Sequence, residues 1–413
     1  MNDFVDLVAR QLAADLRGVP AATRRRFSDE GRAARCHNIE DLRVMAKRSV
    51  PQPIFDYVDG AAWGEVTRRR NRDGFERFEL LPRMLVDVSK LELATTALGR
   101  EIALPIIGAP TGTTGLTHPD GEGAVARAAH SMGTIYTQSA LSSLSIEEVS
   151  AMAPGPKWFQ LYVMTDRGVA YDMLQRAAAH GYEALVLTVD VAVAGVRERD
   201  VRNRFSIPPR LTLRAAAQGL VRPRWARNFI ARPRLTTGNT TSPRVPAGGG
   251  AVAHAEWVNR QFDPSVTWDD LATFREHWGG PLLIKGIMRP DDAVRAVEHG
   301  VEGIIVSNHG GRQLDHTRST IEALPAIAEA VGGRAELYLD GGIRRGTDII
   351  TALALGARAV LIGRPMVYGL GAAGEAGVRR AFELLHGELA TALALAGYPR
   401  ISDLGPEMIH LVR

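Results

Sequence analysis

Residues 281–363 read PLLIKGIMRPDDAVRAVEHGVEGIIVSNHGGRQLDHTRSTIEALPAIAEAVGGRAELYLDGGIRRGTDIITALALGARAVLIG, and this stretch decides the fold. Four short apolar runs, Pro281 to Gly286, Gly303 to Ser307, Glu336 to Asp340 and Ala359 to Gly363, alternate with segments of helical character. Pro290 with Asp291 and Asp292 opens one helix, and Gly300, Gly332 and Gly356 stand where helices should end. Parallel strands need a crossover, usually a helix, so this rhythm predicts βα units. The same alternation extends back toward the N-terminus through Pro105 to Ala109, Thr134 to Gln138, Lys157 to Val163 and Ala184 to Asp190. Ser145 with Glu148 has the spacing of a capping box, and Gly181 marks a helix end. About eight runs is the number a closed parallel barrel needs. The expected class is α/β: a (β/α)8 TIM barrel with an N-terminal helical extension and a long insertion after the fourth strand.

The chain has 413 residues, 45% hydrophobic and 23% charged, enough for one large core with appendages rather than a string of small domains. A net charge of +4 suits an anionic substrate, cofactor or membrane surface as readily as nucleic acid. The lone cysteine, Cys36, cannot form an intramolecular disulfide, which points to a reducing compartment and an inert thiol. Met1 to Arg26 has no continuous apolar core, and no run of 18 apolar residues occurs, so a cytoplasmic protein without a membrane span is expected. Residues 1–37 read as a leader or arm, with Phe4, Val8 and Leu12 on one helical face before Arg24 to Arg26; 38–413 read as the barrel domain. The insertion, about 202–262, has no acidic residue from Arg202 to His254 and interleaves arginines with Trp225, Phe229 and Ile230. An active-site lid and a membrane-binding surface both fit it.

Barrels build their sites at the C-terminal ends of the strands, and here nearly every strand end is polar. The residues are Pro110-Thr111-Gly112, Ser139, Gln160 and Tyr162, Thr188 and Asp190, Lys285, Ser307 and His309, Asp340, and Gly363-Arg364. Buried polar groups cost free energy unless partnered, so the joint occurrence favours a ligand site. Asp340-Gly341-Gly342-Ile343-Arg344 and Gly363-Arg364 follow the seventh and eighth strands, where barrels bind phosphate through backbone N–H groups and arginine forks. In Ser307-Asn308-His309-Gly310-Gly311-Arg312-Gln313-Leu314-Asp315, His309 can take a proton and Arg312 can hold a carboxylate bidentately. Asp190 is a fitting partner for the imidazolium. Lys285 ends the apolar run Leu282-Leu283-Ile284, where an unpaired ammonium is costly, so it is expected to face an anionic group.

At these residues the chain resembles the FMN-dependent 2-hydroxy-acid oxidising family, which includes glycolate oxidase, flavin-type lactate dehydrogenase and mandelate dehydrogenase. The resemblance runs from about Asn38 to the C-terminus and is most specific at Ser307 to Asp315. It implies oxidation of an L-2-hydroxy acid to the 2-oxo acid, with FMN as cofactor. His309 then corresponds to the active-site base, Asp190 to its charge partner, Arg312 and Tyr57 to the carboxylate clamp, Tyr162 to a residue near the substrate hydroxyl and Arg197 to one at the entrance. FMN would be held by Pro110, Thr111 and Gly112 along the ring, by Ser139, Gln160 and Thr188 at its polar edge and by Lys285 near N1 and O2. Ser307, Asp340, Gly341, Gly342, Arg344, Gly363 and Arg364 would hold the ribityl and phosphate. Leu141 and Ala194 stand where several members carry bulkier residues, and Leu187-Thr188-Val189-Asp190-Val191-Ala192-Val193 followed by Arg197-Glu198-Arg199-Asp200 most resembles mandelate dehydrogenases, which implies substrates larger than glycolate. The resemblance also implies a homotetramer, a quinone or other acceptor rather than nucleic acid as partner, and peripheral contact with an anionic membrane face. Another FMN-dependent barrel enzyme, an isomerase or nucleotide dehydrogenase, is the alternative; the latter needs a loop cysteine, and Cys36 lies far before the barrel.

Overall fold

The computed structural model describes residues 28–205, 218–219, 221–234, 237–240, 257 and 260–412. The Phe4, Val8 and Leu12 face, Arg24 to Arg26, Arg210 and Arg214 lie outside them. Eight parallel strands close into a barrel: β1 (Ile106–Gly108), β2 (Tyr136–Ser139), β3 (Lys157–Tyr162), β4 (Ala184–Thr188), β5 (Leu282–Ile287), β6 (Gly303–Val306), β7 (Glu336–Asp340) and β8 (Ala359–Ile362). Each strand pairs with its sequence neighbours, and β8 closes on β1 with Val360 opposite Ile106. Every expected apolar run holds one strand. Their residues are buried on both faces because side chains fill the interior and helices cover the outside. Trp158 of β3 and Tyr338 of β7 meet edge-to-face across that interior, ring centroids 5.4 Å apart.

The outer helices are α1 (Gly121–Ser131), α2 (Ile146–Met152), α3 (Arg167–Ala179), α4 (Asp270–Trp278), α5 (Pro290–Glu298), α6 (Thr320–Val331), α7 (Gly346–Ala354) and α8 (Arg364–Ala396), the last broken at Ala373 and Gly374. Local chemistry sets their ends. The Ser145 and Glu148 capping box forms in both directions at α2. Pro290 takes the first turn of α5, and Gly332 ends α6 at φ 57°, a conformation costly for a residue with a Cβ.

The expected boundary at Asn38 falls inside the packed body. Residues 28–37 carry the helix Asp29–Ala33, Cys36 is fully buried, Arg32 Nε donates to Ala372 O at 2.8 Å, and Arg380 Nε donates to Cys36 O. Burial pushes the Cys36 thiol up, in keeping with an inert group. Helices Ile39–Ser49, Gln52–Asp59 and Val66–Asp73 follow, and the strand Phe78–Leu80 pairs antiparallel with Ile409–Leu411 at the chain's end. The helix Glu198–Arg202 leads into the insertion, and Pro223–Ala231 forms a described helix within it.

Candidate active site

The strand ends surround one cavity of about 410 Å³. Tyr57, Pro110, Thr111, Gly112, Leu141, Gln160, Tyr162, Thr188, Ala194, Arg197, Lys285, His309, Arg312, Asp340 to Gly342, Arg344, Gly363 and Arg364 all line it. Ser139 and Ser307 are buried one layer behind, where Ser139 Oγ donates to Gln160 Oε1 and Ser307 Oγ accepts from Lys285 Nζ and His309 N. These two orient wall residues rather than forming the wall.

His309 Nδ1 lies 2.9 Å from Asp190 Oδ1. Burial of Asp190 favours its neutral form, but the adjacent imidazole and Lys285 outweigh this and hold its carboxyl below the usual range. His309 has φ 57°, rare for a residue with a Cβ; the fixed turn after β6 holds it there, with Ser307 Oγ accepting its N–H. The Tyr162 ring stacks on the imidazole at 6.3 Å, and burial raises its phenol well above the usual tyrosine range. Beside them Arg312 Nη1 donates to Tyr57 O and Gly60 O, and the guanidinium lies 5.0 Å above the Tyr57 ring. Arg197 covers the same ring and pairs with Asp200 at 2.7 Å.

The string from Ser307 to Asp315 also braces the loop that carries it. Asn308 exchanges two amide hydrogen bonds with Asn71, Asp315 accepts from Val66 N and Thr67 N at the start of their helix, and Gln313 Nε2 donates to Asp190 O and Val193 O. Lys285 finds an anionic partner within the protein itself: Asp340 Oδ2 is 2.7 Å from its Nζ. Asp340 Oδ1 remains buried without a partner.

The residues fit FMN. Thr111 Oγ1, Gln160 Nε2, Thr188 Oγ1 and Asp340 Oδ1 are buried cavity-wall atoms lacking hydrogen-bond partners, as required for groups that meet a polar ring edge and a ribityl chain. Arg344 and Arg364 have no carboxylate within ion-pair distance among the described residues; Arg344 donates to Ile343 O, and Arg364 donates to Val58 O, Gly60 O and Gly310 O. Burial and the neighbouring guanidiniums depress both, so a dianionic phosphate would relieve both penalties.

The family model described as FMN-dependent dehydrogenase matches residues 46–411. The chain belongs to this family. FMN is therefore its cofactor, and its reaction is FMN-dependent oxidation of a 2-hydroxy acid. The L-lactate oxidase of Nostoc sp. is 45% identical, covering 91% of this chain and 98% of its own. Glycolate oxidase 5 of Oryza sativa subsp. japonica is 42% identical over 89% of this chain and 94% of its own. The solved structure of the monotopic membrane protein (S)-mandelate dehydrogenase superposes with a TM-score of 0.87 at 39% identity, covering 91% of this chain and all of that one. Val191, Phe205, Thr237 and Phe262 also line the cavity of this enzyme without having been singled out in the sequence. The last three come from the insertion, where no periodic pattern marks an inward-facing position.

Proposed function

We propose that the enzyme prefers L-2-hydroxy acids with bulky side chains, holds their carboxylate on Arg312 and Tyr57, and takes the substrate proton on His309 Nε2. The carrying observation is that His309 lines the same cavity as Arg312, with Asp190 held on its Nδ1 at 2.9 Å from behind the wall. Asp190, kept ionised, holds His309 through Nδ1–H and stabilises the imidazolium formed when Nε2 takes the proton. Arg312 uses Nη1 on backbone carbonyls, which fixes the plane of its fork toward a carboxylate. When bound, FMN would supply the two-electron oxidising capacity that the reaction needs. Leu141 and Ala194 leave room beside Val191, Phe205 and Phe262, and Phe262 stands edge-on to Tyr162 at 5.5 Å. An apolar wall with small residues suits an aromatic or long aliphatic side chain.

The acceptor fits a quinone at an anionic membrane surface. The insertion helix Pro223–Ala231 leaves Ile230 78% exposed, and Val221 just before it is 73% exposed. The solved neighbour is itself described as monotopic. No helix among the described residues is long and apolar enough to cross a membrane.

Anaerobic flavin reduction with glycolate, L-lactate and L-mandelate tests the substrate reading. Mandelate should be preferred over glycolate by roughly 1–3 kcal/mol for each well-buried increment. His309→Ala should retain FMN and lose reduction by about 10²–10⁴-fold or more. A preference for glycolate sinks the size argument; near-normal reduction in His309→Ala sinks the assignment of the base.

A further inference from the structure

A second cavity, about 730 Å³, lies between the helices Asp29–Ala33 and Ile39–Ser49, the break in α8 and the first turn of the insertion helix. Leu116 and Thr117, with Trp225 whose indole N–H donates to Leu116 O at 2.9 Å, partition it from the flavin cavity. Its charge is one-sided: Arg32, Arg35, Arg48, Arg222 and Arg224 line it, against the carboxylates of Asp29 and Asp41. Asp29 is engaged by Arg224 at 2.6 Å, and Asp41 accepts from the backbone N–H of His37.

Two of the arginines are held by fixed acceptors. The break at Ala373 and Gly374 frees the Ala372 carbonyl, which accepts from Arg32 Nε at 2.8 Å, while Ser49 Oγ accepts from Nη2 at 2.5 Å. Burial and the Arg224 charge push the Arg32 guanidinium down, so a nearby anion would stabilise its charged form. Arg222 Nη1 donates to Gln218 O at 3.2 Å, whereas its Nε is buried without a partner. Leaving a buried charged donor unmade is costly. The helix opening beside it has no side-chain cap, and its positive end meets the cavity. Val50 and Leu370 give the cavity an apolar wall.

We propose that this cavity binds a phosphate group, either a free phosphate or the headgroup of an anionic lipid, with Arg32 and Arg222 as its ligands. The site does not depend on the substrate or base assignments above.

The test uses the full-length, FMN-loaded enzyme, whose cofactor phosphate already fills the other arginine cluster. Calorimetry is run with inorganic phosphate and with monomeric dihexanoylphosphatidylglycerol. One further equivalent should bind, and Arg222→Gln should weaken it by roughly tenfold, the loss expected for one charge-assisted hydrogen bond. Arg222→Lys should recover part of this, and Arg227→Gln, exposed on the same helix outside the cavity, should leave it unchanged. Tighter binding of the lipid assigns the site to a headgroup; equal or weaker binding of the lipid assigns it to free phosphate. Absence of binding by both probes, or equal losses in Arg222→Gln and Arg227→Gln variants that keep FMN and the wild-type melting temperature, overturns the proposal.

Discussion

His309 brings backbone strain, a carboxylate hydrogen bond and a stacked ring to one residue. Asp190 is held below the ordinary carboxylate range, so its contribution to stability is present above that range and is lost as pH falls through its lowered value. Asp190→Asn keeps the shape of the contact and removes the charge. Flavin reduction should therefore fall by about 10²–10⁴-fold with FMN retained, measured anaerobically by stopped flow. Wild-type rates in that variant would remove Asp190 from the proton transfer. His309 and Asp190 stood out because their residue types and strand-end positions both pointed to chemistry, and Arg312 because it follows His309 by three residues in the same loop. The Lys285 partner did not, because Asp340 sits on another strand and only barrel closure brings it within 2.7 Å. Ser139 and Ser307 bond to the wall residues Gln160 and Lys285, a layer that strand-end position alone does not distinguish from the wall.

The strands were legible as elements because a parallel barrel buries both faces of each strand, leaving uninterrupted apolar runs with polar ends. The helix Asp29–Ala33 was not, since its five residues bury a single alanine of their own and dock through arginine bonds to distant carbonyls. The turn after β7 shows why a glycine pair at that place carries information. Gly342 has φ 92°, and a Cβ there would lie 2.0 Å from Asn71 O. Asn71 in turn holds Asn308 beside His309, so displacing it would disturb both the turn after β7 and the loop that carries His309. Gly342→Ala should cost on the order of 3 kcal/mol or more from backbone strain and clash, and should weaken FMN retention. Thermal melts of apo and FMN-loaded protein with a count of bound flavin check this; an unchanged melting temperature with full FMN content would count against the turn as a rigid cradle.

Across the whole molecule, the insertion's electrostatic reach is smaller than its acid-free sequence suggests. Acids of the packed body neutralise several of its arginines: Arg224 pairs with Asp29 of the N-terminal helix, Arg232 with Asp120 and Arg234 with Glu148. Trp225 and Phe229 stack on each other at 4.7 Å and pack against the body, so neither is free to enter a lipid interface as the sequence pattern suggested. Val221 and Ile230 remain outward, while Arg227 is exposed on the helix between them. An arginine near an anionic surface contributes about 1 kcal/mol, screened by salt, whereas full burial of an isoleucine or valine contributes about 1.5–3 kcal/mol. On an anionic membrane, apolar insertion of Ile230 and Val221 would therefore outweigh charge attraction over the described part of the surface. Ile230→Asp should reduce flotation with phosphatidylglycerol vesicles by about tenfold or more, and Arg227→Gln by no more than about fivefold. High salt should weaken wild-type binding without abolishing it, and turnover with a soluble quinone should exceed turnover with oxygen in both variants. Complete release by salt with no effect of Ile230→Asp would show adsorption by charge alone; fast oxygen turnover with no vesicle affinity would reject the membrane and acceptor readings together.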